Sequence, residues 1–170
     1  MSPGEATPAP ITPVSGEGAV DAYARLAELG LSLPKVAPPL AAYVPAVQSG
    51  DYVYVSGQLP LVDGKLSMTG KVGAEVTAEQ AADLARICAL NALAAIESLV
   101  GLGRIVKIVK VVGFVASAEG FTGQPAVVNG ASSLFGDVLG EQGRHARSAV
   151  GVAELPLGAP VEVEVIAEVA

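Results

Sequence analysis

Residues 77–117, TAEQAADLARICALNALAAIESLVGLGRIVKIVKVVGFVAS, hold both kinds of regular structure in one stretch and so decide the class of the fold. Thr77 followed three places later by Gln80 is a capping-box pattern, in which each side chain satisfies a backbone N–H left open at a helix start. Leu84, Cys88, Ala92, Ala95, Ile96 and Leu99 then recur at helical spacing on one stripe, and Gly101 and Gly103 end the helix. Its many alanines predict a close approach to a sheet. From Arg104 the chain changes character: RIVKIVKVVGFVAS is almost wholly β-branched and apolar. Its three-residue rhythm also suits a buried helix, but the β-branched content favours a central strand.

Upstream, residues 1–18 are rich in Pro, Gly, Ser and Thr without apolar periodicity, which predicts a disordered tail. Residues 19–42 form an N-terminal arm, with a short helix over Asp21–Leu29 that places Ala22, Leu26 and Leu29 on one face and stops at Gly30. Residues 43–170 form the main domain. AYVPAVQ (42–48), a turn at Ser49-Gly50-Asp51, YVYVSGQLP (52–60) and a second turn at Asp63-Gly64 read as a β-meander. In the second of these strands Tyr52, Tyr54 and Ser56 share one face, and Val53, Val55 and Gly57 the other. Downstream, Pro125–Leu139 reads as a second helix, and residues 147–169 as two strands around a turn at LPLGAP. The class is α+β, with a mixed sheet and two helices packed on one of its faces.

A chain of 170 residues suits one domain core. No apolar run approaches the roughly 20 residues of a membrane span, and the N-terminus does not read as a secretion signal, so no membrane partner and a cytoplasmic location are expected. Ten basic against 17 acidic side chains give a net charge of −7, which makes nucleic acid an unlikely partner. Arg104, Lys107 and Lys110 read as a solvent-facing edge rather than an anion site. Cys88 is the sole cysteine and His145 the sole histidine, so neither a thiolate metal cluster nor a two-histidine ribonuclease mechanism fits within one chain. No metal or cofactor is expected, and Cys88 reads as an inert core thiol.

The last two strands assign side chains to faces. Val161, Val163, Val165, Ala167 and Val169 share the core face of the final strand, opposite Glu162, Glu164, Ile166 and Glu168. In the preceding strand Arg147 projects beside Ala149 and Gly151, small residues that leave room around it. A guanidinium is a rigid fork of donors matched to a carboxylate. Pattern alone leaves two readings of Arg147 open, a carboxylate anchor or a surface arginine paired with nearby glutamates. Folded as an antiparallel hairpin about LPLGAP, these strands would set position 147 opposite a residue near Glu168, with Glu162 roughly 20 Å further along.

ARSAVGVAELPLGAPVEVEVIAEV (146–169), together with YVYVSGQLP (52–60), resembles the RidA/YjgF family, whose older label is L-PSP endoribonuclease. The resemblance implies a chorismate-mutase-like fold, a homotrimer and an intersubunit cleft that binds small carboxylates. It also implies hydrolysis of reactive enamines and imines such as 2-aminoacrylate to 2-keto acids and ammonia. By motif position, Arg147 matches the carboxylate-binding arginine, Glu162 the acid that positions water, and Tyr43 the tyrosine at the cleft. Ser56 and Asn129 match polar cleft positions, and Ala149 and Gly151 flank the bound carboxylate. Ala149 stands where the founding group has cysteine. The resemblance therefore leaves two alternatives to a deaminase: a trimeric binding or chaperone-like protein without turnover, and a ribonuclease.

Overall fold

A computed structural model describes residues 20–36 and 42–170. The expected tail, residues 1–18, and the end of the arm lie outside the described residues. The elements run α1 (Ala22–Glu28), β1 (Ala46–Ser49), β2 (Tyr52–Gln58), the two-residue strands β3 (Leu61–Val62) and β4 (Lys65–Leu66), α2 (Ala78–Leu99), β5 (Ile105–Ala116), α3 (Gln124–Leu139), β6 (Ala146–Val152) and β7 (Val161–Val169). The class is α+β, as expected, with a mixed sheet and helices packed on it.

The capping box forms: Gln80 N donates to Thr77 Oγ1 at 3.1 Å, and Thr77 N donates to Gln80 Oε1 at 2.9 Å. The predicted stripe of α2 is buried from Leu84 to Ile96, whereas Leu99, in the last turn, is 44 % exposed. Burial pushes the Cys88 thiol well above its ordinary range, with a smaller contribution from Glu162, and its Sγ faces the Val161 carbonyl at 3.8 Å. In α1, Asp21 caps the helix, and Ala22 and Leu26 are buried, while Leu29 stays exposed beyond its last turn. Two contacts tie this arm down: Tyr23 Oη donates to Glu97 Oε2 at 2.8 Å, and Arg25 Nε donates to the Asp137 carbonyl at 3.0 Å.

The sheet order is β1-β2-β7-β5-β6, with β5 parallel to β6 and antiparallel to β7. The last two strands therefore do not form the expected hairpin. Helix α3 serves as the crossover that parallel strands require, which lays β6 beside β5. The chain then passes through Leu157 and Gly158, both at positive φ, and returns on the far side of β5. Residues 153–160 have ample reach for two strand spacings of about 5 Å each. Alternation marks a segment as a strand without saying which neighbour it pairs with. Arg104 and Lys107 are exposed, as a solvent-facing edge requires, because β6 pairs with β5 only from Lys110 onward. Lys110 departs from that reading, since its Nζ donates to Ser148 Oγ at 3.1 Å in the paired part of the strand.

Helices α2 and α3 both cover the face carrying Val53, Val111, Val161, Val163 and Val165, all buried. The opposite face has no covering element among the described residues. It displays Val47, Tyr54 and Val150 at 43–52 % exposure, interleaved with the β7 glutamates. Two glycines set the thickness of the covered layer. A Cβ at Gly113 of β5 would strike the Val128 side chain, and a Cβ at Gly130 of α3 would strike the Ala82 carbonyl of α2.

Gly130→Ala should therefore lower stability by about 2 kcal/mol, since overpacking against rigid backbone cannot relax by a rotamer change. Gly136→Ala, on the exposed side of the same helix, where an added Cβ meets no other side chain among the described residues within 4 Å, should raise it by roughly 0.5–1 kcal/mol through helix propensity. Paired urea melts decide the matter: equal midpoints for the two variants would refute the close α2–α3 contact.

Candidate functional site

Arg147 pairs in register with Val111, and because Val111 is buried beneath the helices, Arg147 lies on the helix face of the sheet's edge strand β6. There it meets α3. Nη1 donates to Asn129 Oδ1 at 2.8 Å and to Ser132 Oγ at 3.2 Å, and Nη2 makes a longer contact of 3.4 Å to the Pro125 carbonyl. Asn129 and Ser132 are three residues apart and so share one side of the helix. Both Nη1 hydrogens are thus committed to α3. Nε and the second Nη2 hydrogen have no partner among the described residues.

The ion pairs among the described residues join Arg25 to Glu28, Lys71 to Glu154, Arg86 to Asp137 and Arg144 to Glu141. None involves Arg147, so the alternative of a surface arginine paired with the nearby glutamates does not describe it. At Gly151, four residues further along the strand, the room expected from a small residue is limited. Ala149 and Gly151 do share its face, but a Cβ at Gly151 would lie 2.9 Å from Gln124 Nε2 and 3.0 Å from Ser117 Oγ. Those two side chains, themselves hydrogen-bonded at 3.1 Å, fill the space.

Glu162 lies on the other face. It pairs with Phe114, which also pairs with Val150, so Glu162 is level with a residue three places beyond Arg147 and two strands across. That is about 10 Å in each direction, with the sheet between the two side chains. The separation differs in origin from the hairpin expectation, but it keeps the pair apart within one subunit all the same. The Glu162 carboxylate lies over Gly57, where any Cβ would collide with it. A register irregularity in β2 between Val55 and Gln58 turns Gly57 toward Glu162, instead of leaving it on the valine face. Partial burial raises the proton affinity of Glu162 above that of an ordinary carboxylate, and the charge of Glu164 adds to the effect.

Beside Gly57, Ser56 Oγ donates to the Val44 carbonyl at 2.6 Å, fixing the backbone next to Tyr43, whose side is 63 % exposed. The predicted residues thus fall into two groups. Arg147, Asn129, Ala149 and Gly151 lie along β6 and α3, while Tyr43, Ser56 and Glu162 lie around β1, β2 and β7. Sequence reasoning missed Ser132 and the Pro125 carbonyl as partners of the arginine, and Gly57 as the floor under Glu162. The spacing Asn129-x-x-Ser132 was visible, but nothing in it says that α3 crosses β6 at Arg147.

A family model described as Endoribonuclease L-PSP matches residues 34–169. Protein TCP17 of Trypanosoma cruzi is 47 % identical over 147 residues, covering 85 % of this chain and 92 % of its own. The crystal structure of a protein of unknown function from Agrobacterium tumefaciens is 48 % identical, with a TM-score of 0.82 over 88 % of this chain and 92 % of that one. That of E. coli TdcF with bound serine is 26 % identical, with a TM-score of 0.54 over 81 % of this chain and 93 % of that one.

The environment of Glu162 has a consequence for stability. Folding raises its proton affinity, so the native state binds more protons than the unfolded chain between the usual glutamate pKa, about 4.3, and the raised value. Stability falls as pH rises through that window. Glu162→Gln should accordingly melt above the wild type at pH 7, and the difference should close as pH drops below the ordinary glutamate range. A variant that melts lower at pH 7 would show that the carboxylate gains more from a partner than it loses to burial.

Proposed function

The chain belongs to the Endoribonuclease L-PSP (RidA/YjgF) family, and from that premise we propose that it hydrolyses reactive enamines and imines of small amino acids to 2-keto acids and ammonia. The observation that carries this reading is the state of Arg147. Its guanidinium is braced by α3, free of acidic partners among the described residues, and left with donors on one edge. Two parallel N–H donors on a fixed plane match a carboxylate. The bound serine in TdcF, a relative in the same family, is a ligand of that chemistry.

The reaction asks little more of the protein than position. Protonation of 2-aminoacrylate at its methylene carbon gives the iminium, whose carbon is already electrophilic. Water adds there, and the resulting carbinolamine expels ammonia to leave pyruvate. In this scheme Arg147 holds the carboxylate, with the β6 backbone at Ala149 and Gly151 beside it. Glu162 takes a proton from the attacking water and passes one to the departing nitrogen, a role served by a carboxyl whose proton affinity lies above the ordinary range. Ala149 removes the thiol found in the founding group, and no step above needs a side-chain nucleophile.

Because the sheet separates Arg147 from Glu162, their cooperation requires two subunits, the β6–α3 half of one meeting the β1–β2–β7 half of its neighbour. A homotrimer is the assembly proposed, and the uncovered sheet face with Val47, Tyr54 and Val150 is the apolar surface available to build it. The net charge of −7 argues against the ribonuclease alternative.

Keto-acid release from freshly generated 2-aminoacrylate is the direct assay. Tight binding of 2-oxobutyrate with no release would make this a carboxylate-binding protein instead. Arg147→Ala should weaken 2-oxobutyrate binding by about 100-fold, since two charge-assisted hydrogen bonds sum to roughly 3 kcal/mol. Arg147→Lys should recover little, and unchanged calorimetric affinity in the alanine variant would put the site elsewhere.

A further inference from the structure

His145 and Arg147 are two apart on the approach to and start of β6, and so project to the same side of the chain, where α3 presents Asn129 and Ser132. The imidazole is held at both nitrogens. Nδ1 lies 2.6 Å from the Gly143 carbonyl, and Nε2 lies 2.9 Å from Ser132 Oγ. Ser132 Oγ in turn accepts from Arg147 Nη1 at 3.2 Å. The ring stands edge-on to the fully buried Phe135, with centroids 5.9 Å apart and planes at 85°.

The proton positions in this chain follow from its ends. A carbonyl oxygen only accepts, so Nδ1 carries the hydrogen, and in the neutral imidazole Nε2 is then an acceptor. Ser132 must donate its hydroxyl hydrogen to Nε2, which leaves its lone pairs for the guanidinium. With the opposite tautomer, Nδ1 and the Gly143 carbonyl would face each other as two acceptors. The carbonyl itself is fixed, because Gly143 packs against the α3 backbone so closely that a Cβ would strike the Phe135 carbonyl.

Resting on the carboxylate-clamp reading above, we propose that His145 and Ser132 are positioning residues that lock the Arg147 guanidinium in its plane. Gly143 fixes the tautomer of His145, the tautomer fixes the orientation of the Ser132 hydroxyl, and the hydroxyl holds Nη1 while Nε and Nη2 stay available. The lone histidine, which no step of the proposed hydrolysis uses, thereby gains a role without touching the substrate. Arginine is the charged partner nearest in this chain of contacts, and no acidic side chain among the described residues bonds to the ring.

Four variants and one spectrum test this. Ser132→Ala and His145→Phe, the latter keeping an aromatic edge on Phe135, should each weaken 2-oxobutyrate binding by about tenfold, the effect of losing one hydrogen bond to a charged group. Ser132→Thr keeps the hydroxyl and His145→Gln can present an amide oxygen near the Nε2 position. Both should stay within about threefold of the wild type. In long-range nitrogen–proton spectra of the wild type, the single histidine should show the Nδ1–H tautomer. The Arg147 guanidinium should give separate, slowly rotating Nη signals that average in Ser132→Ala. Full affinity in both Ser132→Ala and His145→Phe, or an Nε2–H tautomer, would overturn the proposal. If the wild type binds no 2-oxobutyrate, the carboxylate-site reading falls on its own. The spectra then decide the positioning claim, which fails if the Arg147 signals are the same with and without the Ser132 hydroxyl.

Discussion

Strand β5 lies between β6 and β7, and the placement of every candidate site residue depends on that insertion. Two segments adjacent in sequence, each with strong strand alternation, could close directly on one another. Here the crossover through α3 commits β6 to the outer side of β5, and β7 takes the inner side between β5 and β2. Arg147 consequently sits on an edge strand under a helix, and Glu162 near the middle of the sheet on the uncovered face. Had the two strands paired, both residues would belong to one hairpin, about 20 Å apart along it, in place of sitting two strands apart on opposite faces of the sheet.

The layer of helices depends on close approach, because the residues facing it are small. The alanines along α2 and the glycines at positions 113 and 130 let α3 lie low over β5 and tight against α2. That depth brings Asn129 and Ser132 within hydrogen-bonding distance of the Arg147 guanidinium. A thicker layer would leave the arginine free to swing toward solvent or toward a glutamate. On the other face nothing among the described residues covers the sheet. Glu162, over the bare backbone of Gly57, keeps its proton more readily than an exposed carboxylate would.

Much of this was legible in the sequence, for reasons that differ by residue. The capping box at Thr77 and Gln80 is a local device, and it formed as read. The valine face of the last strand follows from a period of two, and those valines are buried. Strand pairing was not legible, since alternation in residues 147–169 is the same whether the partner is the next strand or β5. The β2 irregularity that turns Gly57 toward Glu162 has no sequence mark beyond a glycine, and glycine also fits a plain strand with close packing. The brace around Arg147 was hidden for a similar reason: Asn129 entered only as a cleft position implied by the family resemblance, and Ser132 and His145 carried no sign of a link to Arg147 until the crossing of α3 over β6 brings the three together.

The central claim is that the arginine half and the glutamate half of the site act together only across a subunit boundary. Mixing Arg147→Ala with Glu162→Gln, each inactive alone, tests it under conditions where native mass spectrometry shows subunit exchange. The account predicts that keto-acid release returns in the mixture, because mixed oligomers contain clefts in which both residues are intact. Complete exchange with release still at zero would contradict it.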